Sequence, residues 1–149
     1  MVMAIQTVGA FFAVASFTRI LELPRRFVGW YGTAGALCWL VYLTARDAAG
    51  SKILAAFLAS LAVAVFSHVA ARILKAPVTV FLIPGILPLV PGASIYNSVY
   101  YIIQDSQTQS SYYLAETLQI AGAIAMAVFL VDSVFHLLRH RRRNAGANG

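Results

Sequence analysis

The sequence predicts an all-α integral membrane protein with five transmembrane helices, the fourth of which is broken by prolines and glycines. Hydrophobic residues make up 60% of the 149 residues and charged residues only 11%, and the mean hydropathy is +0.78. A soluble domain of this length needs far more polar surface to face water. The net charge of +6 lies mostly in short clusters beside apolar segments. This pattern favours orientation in a membrane over binding to nucleic acid, which we do not expect as a partner.

Five apolar segments divide the chain into spans, and each approaches or exceeds the roughly 20 residues with which a helix crosses the hydrocarbon core. The expected membrane domain covers residues 1–138, and its spans lie at residues 2–18, 27–43, 53–71, 77–103 and 114–138. Ala13–Ser16 resembles a signal-peptide cleavage site, but the basic residues, from Arg19 onwards, follow the first segment instead of preceding it. This order predicts an uncleaved first helix.

The distribution of Lys and Arg predicts the orientation of the spans. With the N-terminus outside the cell, nine of the 11 basic residues lie in cytoplasmic connections and the tail, and only Arg46 and Lys52 lie outside. Cytoplasmic segments carry an excess of Lys and Arg, so we predict an outer N-terminus and a cytoplasmic C-terminus. Residues 139–149 are predicted to be a basic cytoplasmic tail. Its arginines are expected to anchor the last helix, and binding to anionic lipid or nucleic acid is the alternative.

The fourth segment contains three prolines in an apolar stretch, FLIPGILPLVPGASIYNSVYY at Phe81–Tyr101. Proline lacks the N–H that would bond the carbonyl four residues earlier in a helix. In a continuous helix, Pro88 would therefore free the carbonyl of Pro84. Pro91 would free the carbonyl of Leu87 in the same way. Irregular backbone is tolerated at membrane depth only where it is buried in protein or lines a water-filled cavity.

The break therefore predicts a site as well as a bend. Gly92 provides a fresh helix start, whose amides and positive dipole end suit a carboxylate. Discontinuous helices of transporters hold ions and substrates at such breaks. We predict that a substrate path is lined by Pro84, Gly85, Pro88, Pro91, Gly92, Ser94, Tyr96 and Asn97. The alternative is a kink or re-entrant turn that only fits the neighbouring helices.

The proline-rich segment also resembles a known family. Its features are a proline that starts the helix, a Pro-Gly pair, the sequence Pro-Leu-Val-Pro-Gly and a tyrosine soon after, which lie at Pro77, Pro84–Gly85, Pro88–Gly92 and Tyr96. This arrangement resembles the signature of the threonine/serine exporter (ThrE-like) family. The stretch LELPRRFVGWYGTAGALCWLVY is similar to the family's first cytoplasmic connection and second helix. The length and the order of spans resemble its small five-span subunit, the counterpart of the C-terminal membrane half of the fused exporters.

The resemblance implies a function and a partner. The family exports small hydrophilic metabolites such as threonine and serine, and we expect coupling to the proton gradient across the plasma or inner membrane. Small subunits of this kind are expected to work with a larger five-span subunit that carries a cytoplasmic domain, and an oligomer is left open. A partner of opposite orientation would complete an inverted repeat. The alternatives are a dicarboxylate (succinate-type) exporter subunit and a non-transporting assembly or scaffold protein.

Three ionisable residues in the apolar segments are candidates for proton coupling, namely His68, Asp132 and His136. A histidine has an unperturbed pKa of about 6.5, which suits a proton acceptor. Asp132 and His136 are four residues apart, so they should face each other on one helix. A carboxylate inside the membrane is costly and is therefore a functional candidate. The alternatives are a histidine hydrogen-bonded within the bundle and a local ion pair of Asp132 near the cytoplasmic interface.

Other residues predict structure more than chemistry. Cys38 is the only cysteine and is expected to be a small packing residue. Glu116 is expected to be solvated or to cap a helix near the outer end. Gly29, Gly32 and Gly35 recur at every third position and predict a packing surface for another helix, either in this chain or in a partner.

No constellation typical of an enzyme can be found in the sequence. There is no phosphate-binding loop, no spacing of metal ligands and no identifiable pair of nucleophile and base. We therefore expect no catalytic residue, no metal and no cofactor. The pair Asp132–His136 is the one arrangement that leaves the possibility of catalysis open.

Overall fold

The computed structural model describes residues 2–147, and side chains within residues 2–138, as a bundle of six helices with short connections. The helices are α1 (Val2–Ile20), α2 (Val28–Ala49), α3 (Lys52–Leu74), α4 (Val78–Ile86), α5 (Gly92–Ile103) and α6 (Gln107–Ala147). Short 3-10 turns precede α2 at Arg25–Phe27 and follow α4 at Leu87–Leu89. No strand occurs in residues 2–147, so the all-α class is confirmed. The predicted basic tail continues α6 to Ala147, while its side chains and residues 148–149 lie outside the described residues.

Four of the described helices are long and apolar enough to cross a membrane. They are α1, α2 with the turn before it, α3, and the Gln107–Leu138 part of α6. The segments Val78–Leu89 and Gly92–Ile103 are bent by 49° relative to each other and add a fifth crossing if they count as one span. The described chain therefore has four or five candidate spans, and its interruption lies in the proline-rich stretch.

The chain reverses between the long helices through residues with left-handed backbone. Glu22, Gly50, Lys75 and Asp105 have positive φ, and each lies in a different connection. Such a residue turns the chain away from a helix C-terminus and lets the last carbonyls be capped. The Gly50 amide, for example, donates to the Arg46 carbonyl at 2.9 Å. The connection between α4 and α5 has no residue of this kind, so the chain bends there without reversing.

The central element of the bundle is α3, which packs against α2, α4 and α6. Small side chains dominate its buried surface, at Ala55, Ala56, Ala59, Ser60, Ala64, Ser67, Ala70 and Ala71. Small residues let membrane helices approach closely where lipid provides no hydrophobic driving force for association. One helix can therefore contact three neighbours along its length.

The glycines of α2 pack against α1 of the same chain. A Cβ added at Gly32 would lie 2.6 Å from the Phe11 ring, and one added at Gly35 would meet the Val14 side chain. Gly29, the third glycine of the predicted packing surface, has open space beside it. Two of the three glycines therefore serve contact within the chain.

Helices α3 and α6 run parallel, and two contacts between ionisable side chains join them. Lys52 Nζ lies 2.7 Å from Glu116 Oε1, and His68 Nε2 lies 3.5 Å from Asp132 Oδ1. The two contacts are sixteen residues apart on each helix. That separation is about 24 Å along the axis, against a hydrocarbon core of about 30 Å. Neither helix carries a charged residue between the contacts, so they lie towards opposite ends of the membrane-spanning part.

Gly85 lets α4 pack deep in the groove between α2 and α3. A Cβ at this position would lie 2.7 Å from Val63 Cγ1 and 3.2 Å from the Ala34 Cβ. Val63 and Ala34 are both fully buried. Gly92, at the start of α5, has nothing within 4 Å of the same hypothetical atom. The two glycines of the broken segment therefore have different structural roles.

We predict that Gly85→Ala lowers the stability of the folded protein by about 1–3 kcal/mol, because the added methyl group overpacks a rigid contact. Gly92→Ala is the matched control and should leave stability within about 0.5 kcal/mol of the unmodified protein. Unfolding of the purified protein in mixed micelles with increasing SDS measures both. Equal stability of the two variants would contradict the packing role of Gly85.

Candidate functional site

Two carbonyls of the proline-rich segment, those of Pro84 and Leu87, are paired within a tighter turn. The Leu87 amide donates to the Pro84 carbonyl, and the Val90 amide donates to the Leu87 carbonyl at 3.2 Å. The prediction that Pro88 and Pro91 free these two carbonyls is therefore wrong. Its physical reason is that the chain leaves the α-helical register and makes 3-10 hydrogen bonds between residues three apart.

The break moves the chain from one side of the bundle to another. Before it, α4 packs against α2 and α3, and after it, α5 packs against α6. The Gly92 amide donates to the Val90 carbonyl at 2.7 Å, and the Ile95 amide donates to the Pro91 carbonyl at 3.0 Å, so α5 starts at Gly92. Because α4 and α6 both pack on α3, the crossing α5 joins the two helices that flank it.

A largely enclosed carboxylate links α6 to α5 and α3. Glu116 of α6 accepts a hydrogen bond from Ser94 Oγ of α5 at 2.7 Å and one from Lys52 Nζ of α3 at 2.7 Å. Its side chain is only 11% exposed. The expectation that Glu116 is solvated or caps a helix is therefore wrong, because two donors from other helices enclose it. We call these three residues the Glu116 cluster.

A cavity of about 740 Å³ lies at the other end of α3, where that helix ends and α4 begins. It is lined by His68, Ala71, Arg72, Lys75, Ala76, Pro77, Val78, Asp132, Phe135 and His136. These residues belong to α3, the connection after it, the first residue of α4, and α6. We call it the charged cavity, since five of its lining side chains are ionisable. All three residues that the sequence predicts for proton coupling lie in its wall.

One aromatic ring organises the wall of the charged cavity. The His68 ring stacks on the Phe135 ring with centroids 4.3 Å apart and planes inclined by 4°. The Arg72 guanidinium lies 5.3 Å from the centre of the same ring, within the range of a cation–π contact. The His68 side chain is 13% exposed, whereas the Asp132 side chain is 73% exposed. The imidazole is thus largely enclosed, the guanidinium contacts the ring, and the carboxylate is open.

The residues predicted for the substrate path are spread over several environments. Pro84 and Gly85 are buried in the packing of α4. Pro88 lines a separate and mainly apolar groove of about 460 Å³ beside α1 and α2. Ser94 belongs to the Glu116 cluster, and Tyr96 is exposed. Pro91, Gly92 and Asn97 lie with them along the break, and none of the eight lines the charged cavity.

Sequence reasoning missed Phe135, Lys75 and the partners of Glu116. Residue type alone does not single out a phenylalanine in an apolar helix, and Lys75 looks like one more charge at a helix end. A signal for Glu116 exists in the sequence, since Glu116 precedes Asp132 by the same sixteen residues that separate Lys52 from His68. Equal spacing of complementary groups indicates two helices that run parallel in one register.

Comparison with known proteins identifies the family. The model of the threonine/serine exporter family, ThrE, matches residues 6–134. The chain belongs to this family. The match includes the broken span, His68 and Asp132, and it ends just before Phe135. No curated protein and no solved structure matches the chain.

Membership in the ThrE family confirms the resemblance carried by the proline motif. The family is one of transporters, which agrees with the apolar helices and with an expected role in transport and amino-acid export. This ThrE protein is accordingly a multi-pass membrane protein. Among the described residues, no group of His, Cys, Asp and Glu is arranged to hold a metal ion.

We predict that Glu116→Gln lowers the stability of this ThrE protein by about 1 kcal/mol, because the charge-assisted contacts with Lys52 and Ser94 weaken. The matched control is Glu22→Gln in the exposed connection after α1, which should leave stability unchanged. SDS-dependent unfolding measures both variants. A Glu116→Gln protein as stable as the control would show that the cluster does not hold α3, α5 and α6 together.

Proposed function

We propose that the chain is the small membrane subunit of a secondary exporter for small hydrophilic amino acids such as threonine and serine. The solute passes beside the broken fourth span, between α4 and α6. The observation that carries this proposal is the ThrE family match, which covers both the break and most of the charged cavity. The cavity supports it further, because an exporter must accept a charged solute from water before moving it across lipid.

In the proposed arrangement α4 and α5 form one crossing, so the chain spans the cell membrane five times. The N-terminus is outside and the charged cavity opens to the cytoplasm. The positive-inside rule supports this orientation, with Arg72 and Lys75 at the cytoplasmic end. The larger subunit, with its cytoplasmic domain and opposite orientation, completes an inverted repeat. The larger subunit contacts apolar residues that are exposed in the single chain, such as Ile5 and Phe12 on α1.

The two ends of the α3–α6 pair suggest how access is controlled. At the outer end, α5 crosses to α6 and the Glu116 cluster ties the helices together. At the cytoplasmic end, the charged cavity is open. This is the arrangement expected of a carrier that faces the cytoplasm and is closed to the outside. Export then requires the cluster to separate while the cytoplasmic end closes.

Proton coupling is assigned to the contact between His68 and Asp132. The two side chains are 3.5 Å apart, and a protonated imidazole would form an ion pair with the carboxylate. Arg72 and Lys75 of α3 and its connection, and His136 of α6, line the same cavity and add to the field at this contact. A proton that enters or leaves here changes the charge of the wall that faces the solute.

The second candidate function is export of dicarboxylates, and the presence of two basic side chains, Arg72 and Lys75, in one cavity favours it. Flux measurements separate the candidates. Vesicles that contain this chain and its larger partner should release threonine or serine, and should release succinate more slowly. Faster release of succinate would support the dicarboxylate candidate, and no release of either would support a non-transporting scaffold.

We predict that replacing Pro88 and Pro91 together by alanine abolishes export while the protein still inserts in the membrane, because α4 then continues straight and α5 no longer crosses to α6. Pro24→Ala, in the exposed connection before α2, is the matched control. Amino-acid flux from vesicles and membrane fractionation are the measurements. Unchanged transport by the double variant would argue that the break serves packing alone.

We also predict that His68→Gln and Asp132→Asn each remove the dependence of export on the pH gradient, since each eliminates one side of the contact that takes the proton. Flux with and without an imposed gradient measures this. Asp47→Asn, at the exposed end of α2, should keep the dependence. If both neutral variants kept it in full, coupling would have to lie elsewhere.

A further inference from the structure

We propose that the charged cavity is a binding site for a solute that carries a carboxylate and an ammonium group together. Arg72 and Lys75 contact the carboxylate, and Asp132 contacts the ammonium group. This inference deepens the proposed function and rests on it for the identity of the solute. It moves the binding of substrate from the break itself to the cavity at the cytoplasmic end of α3.

The size of the cavity suits a small solute. Its volume of about 740 Å³ lies within the 300–1,000 Å³ that is usual for small-molecule sites. Residues of α3, α4 and α6 all contribute to its wall, so a bound solute contacts helices on both sides of the cleft. Movement of α4 or α6 relative to α3 would therefore change the site directly, as a carrier requires.

The basic groups of the cavity are available to an anion. Among the described residues, no carboxylate lies within ion-pair distance of Arg72 or Lys75. Phe135 lies under the Arg72 guanidinium, so this group is held in position without its N–H donors being used by a carboxylate. Lys75 follows at the end of the helix in left-handed backbone, with φ of 51°. Guanidinium and ammonium groups held near each other are a usual arrangement for binding a carboxylate.

The anionic group of the cavity is available to a cation. Asp132 contacts His68 through Oδ1, and its side chain is 73% exposed. Arg72 follows His68 by one turn of α3, about 6 Å along the axis. The wall therefore presents an anionic group beside His68 and cationic groups one turn further on. An amino acid matches both, whereas a dicarboxylate would bring its second carboxylate towards Asp132, where like charges repel.

The same carboxylate links solute and proton. His68, when protonated, competes with the ammonium group of the solute for Asp132, since both are cations and His68 already contacts this carboxylate. Binding of the solute and binding of the proton then oppose each other at one residue. Exchange of one for the other is the behaviour that an amino-acid/proton antiporter needs.

Ligand analogues that lack one charge test the site. The purified chain in lipid nanodiscs is titrated with threonine, N-acetylthreonine, threoninol and succinate. Saturation-transfer NMR, which detects weak binding, measures each affinity. We expect threonine to bind at least about tenfold more tightly than the other three, because each of them loses a charge-assisted contact or adds a repulsive one.

Substitutions assign the two ends of the solute. Asp132→Asn should weaken threonine binding about tenfold or more and leave N-acetylthreonine unaffected. Arg72→Gln should weaken both of these ligands and leave threoninol unaffected. Arg46→Gln and Asp47→Asn, in the exposed last turn of α2, are the matched controls and should bind like the unmodified chain. Arg72→Lys and Asp132→Glu keep the charges and replace a neutral variant that folds poorly. Each should bind threonine more tightly than the corresponding neutral variant.

Three results would overturn the inference. They are no binding of threonine, tighter binding of succinate than of threonine, and folded Asp132→Asn and Arg72→Gln variants that bind threonine as tightly as the unmodified chain. Flux measurements keep this separate from the proposed function. If the unmodified protein exports threonine and the Asp132→Asn and Arg72→Gln variants bind threonine with normal affinity, the proposed function stands and the proposed site is wrong. Threonine binding that follows the expected pattern, in a protein that exports nothing, would keep the site and remove the function.

Discussion

The hydrocarbon core of a membrane offers no hydrogen-bond partner to a main chain, and the structure of this protein depends on how its proline-rich segment meets that constraint. Helices satisfy it automatically, but a helix with three prolines does not. The chain responds with a 3-10 turn in which the carbonyls of Pro84 and Leu87 accept from amides three residues on. The helix before the turn, α4, packs between α2 and α3, where Gly85 allows close approach. The proline-rich segment is therefore stabilised both by hydrogen bonds within its turn and by the packing of α4.

Charges are subject to the same constraint. Between Lys52 and His68 on α3, and between Glu116 and Asp132 on α6, neither helix carries a charged residue. The ionisable groups come in pairs at the two ends of this apolar interface, about 24 Å apart. The parallel register places Lys52 beside Glu116 and His68 beside Asp132, so each of these four groups has a complementary neighbour on the other helix.

The two ends of the α3–α6 interface differ from each other. At one end the carboxylate of Glu116 is enclosed by donors from two other helices, and the helices are held together. At the other end the carboxylate of Asp132 is exposed and lines a cavity of about 740 Å³. Helix α5 contributes Ser94 to the enclosed end and no residue to the lining of the charged cavity.

The sequence by itself determined the all-α class, the interruption at the proline-rich stretch, and the candidate ionisable residues. These follow from local chemistry, because hydropathy marks a membrane helix and a missing N–H marks a break wherever the helix packs. Only the tertiary structure decided that the broken turn satisfies its carbonyls, that Glu116 is enclosed, and that His68 meets Asp132 beside Phe135. Those outcomes depend on the register between helices distant in the chain, and periodicity indicates which face of a helix is buried without indicating which helix it meets.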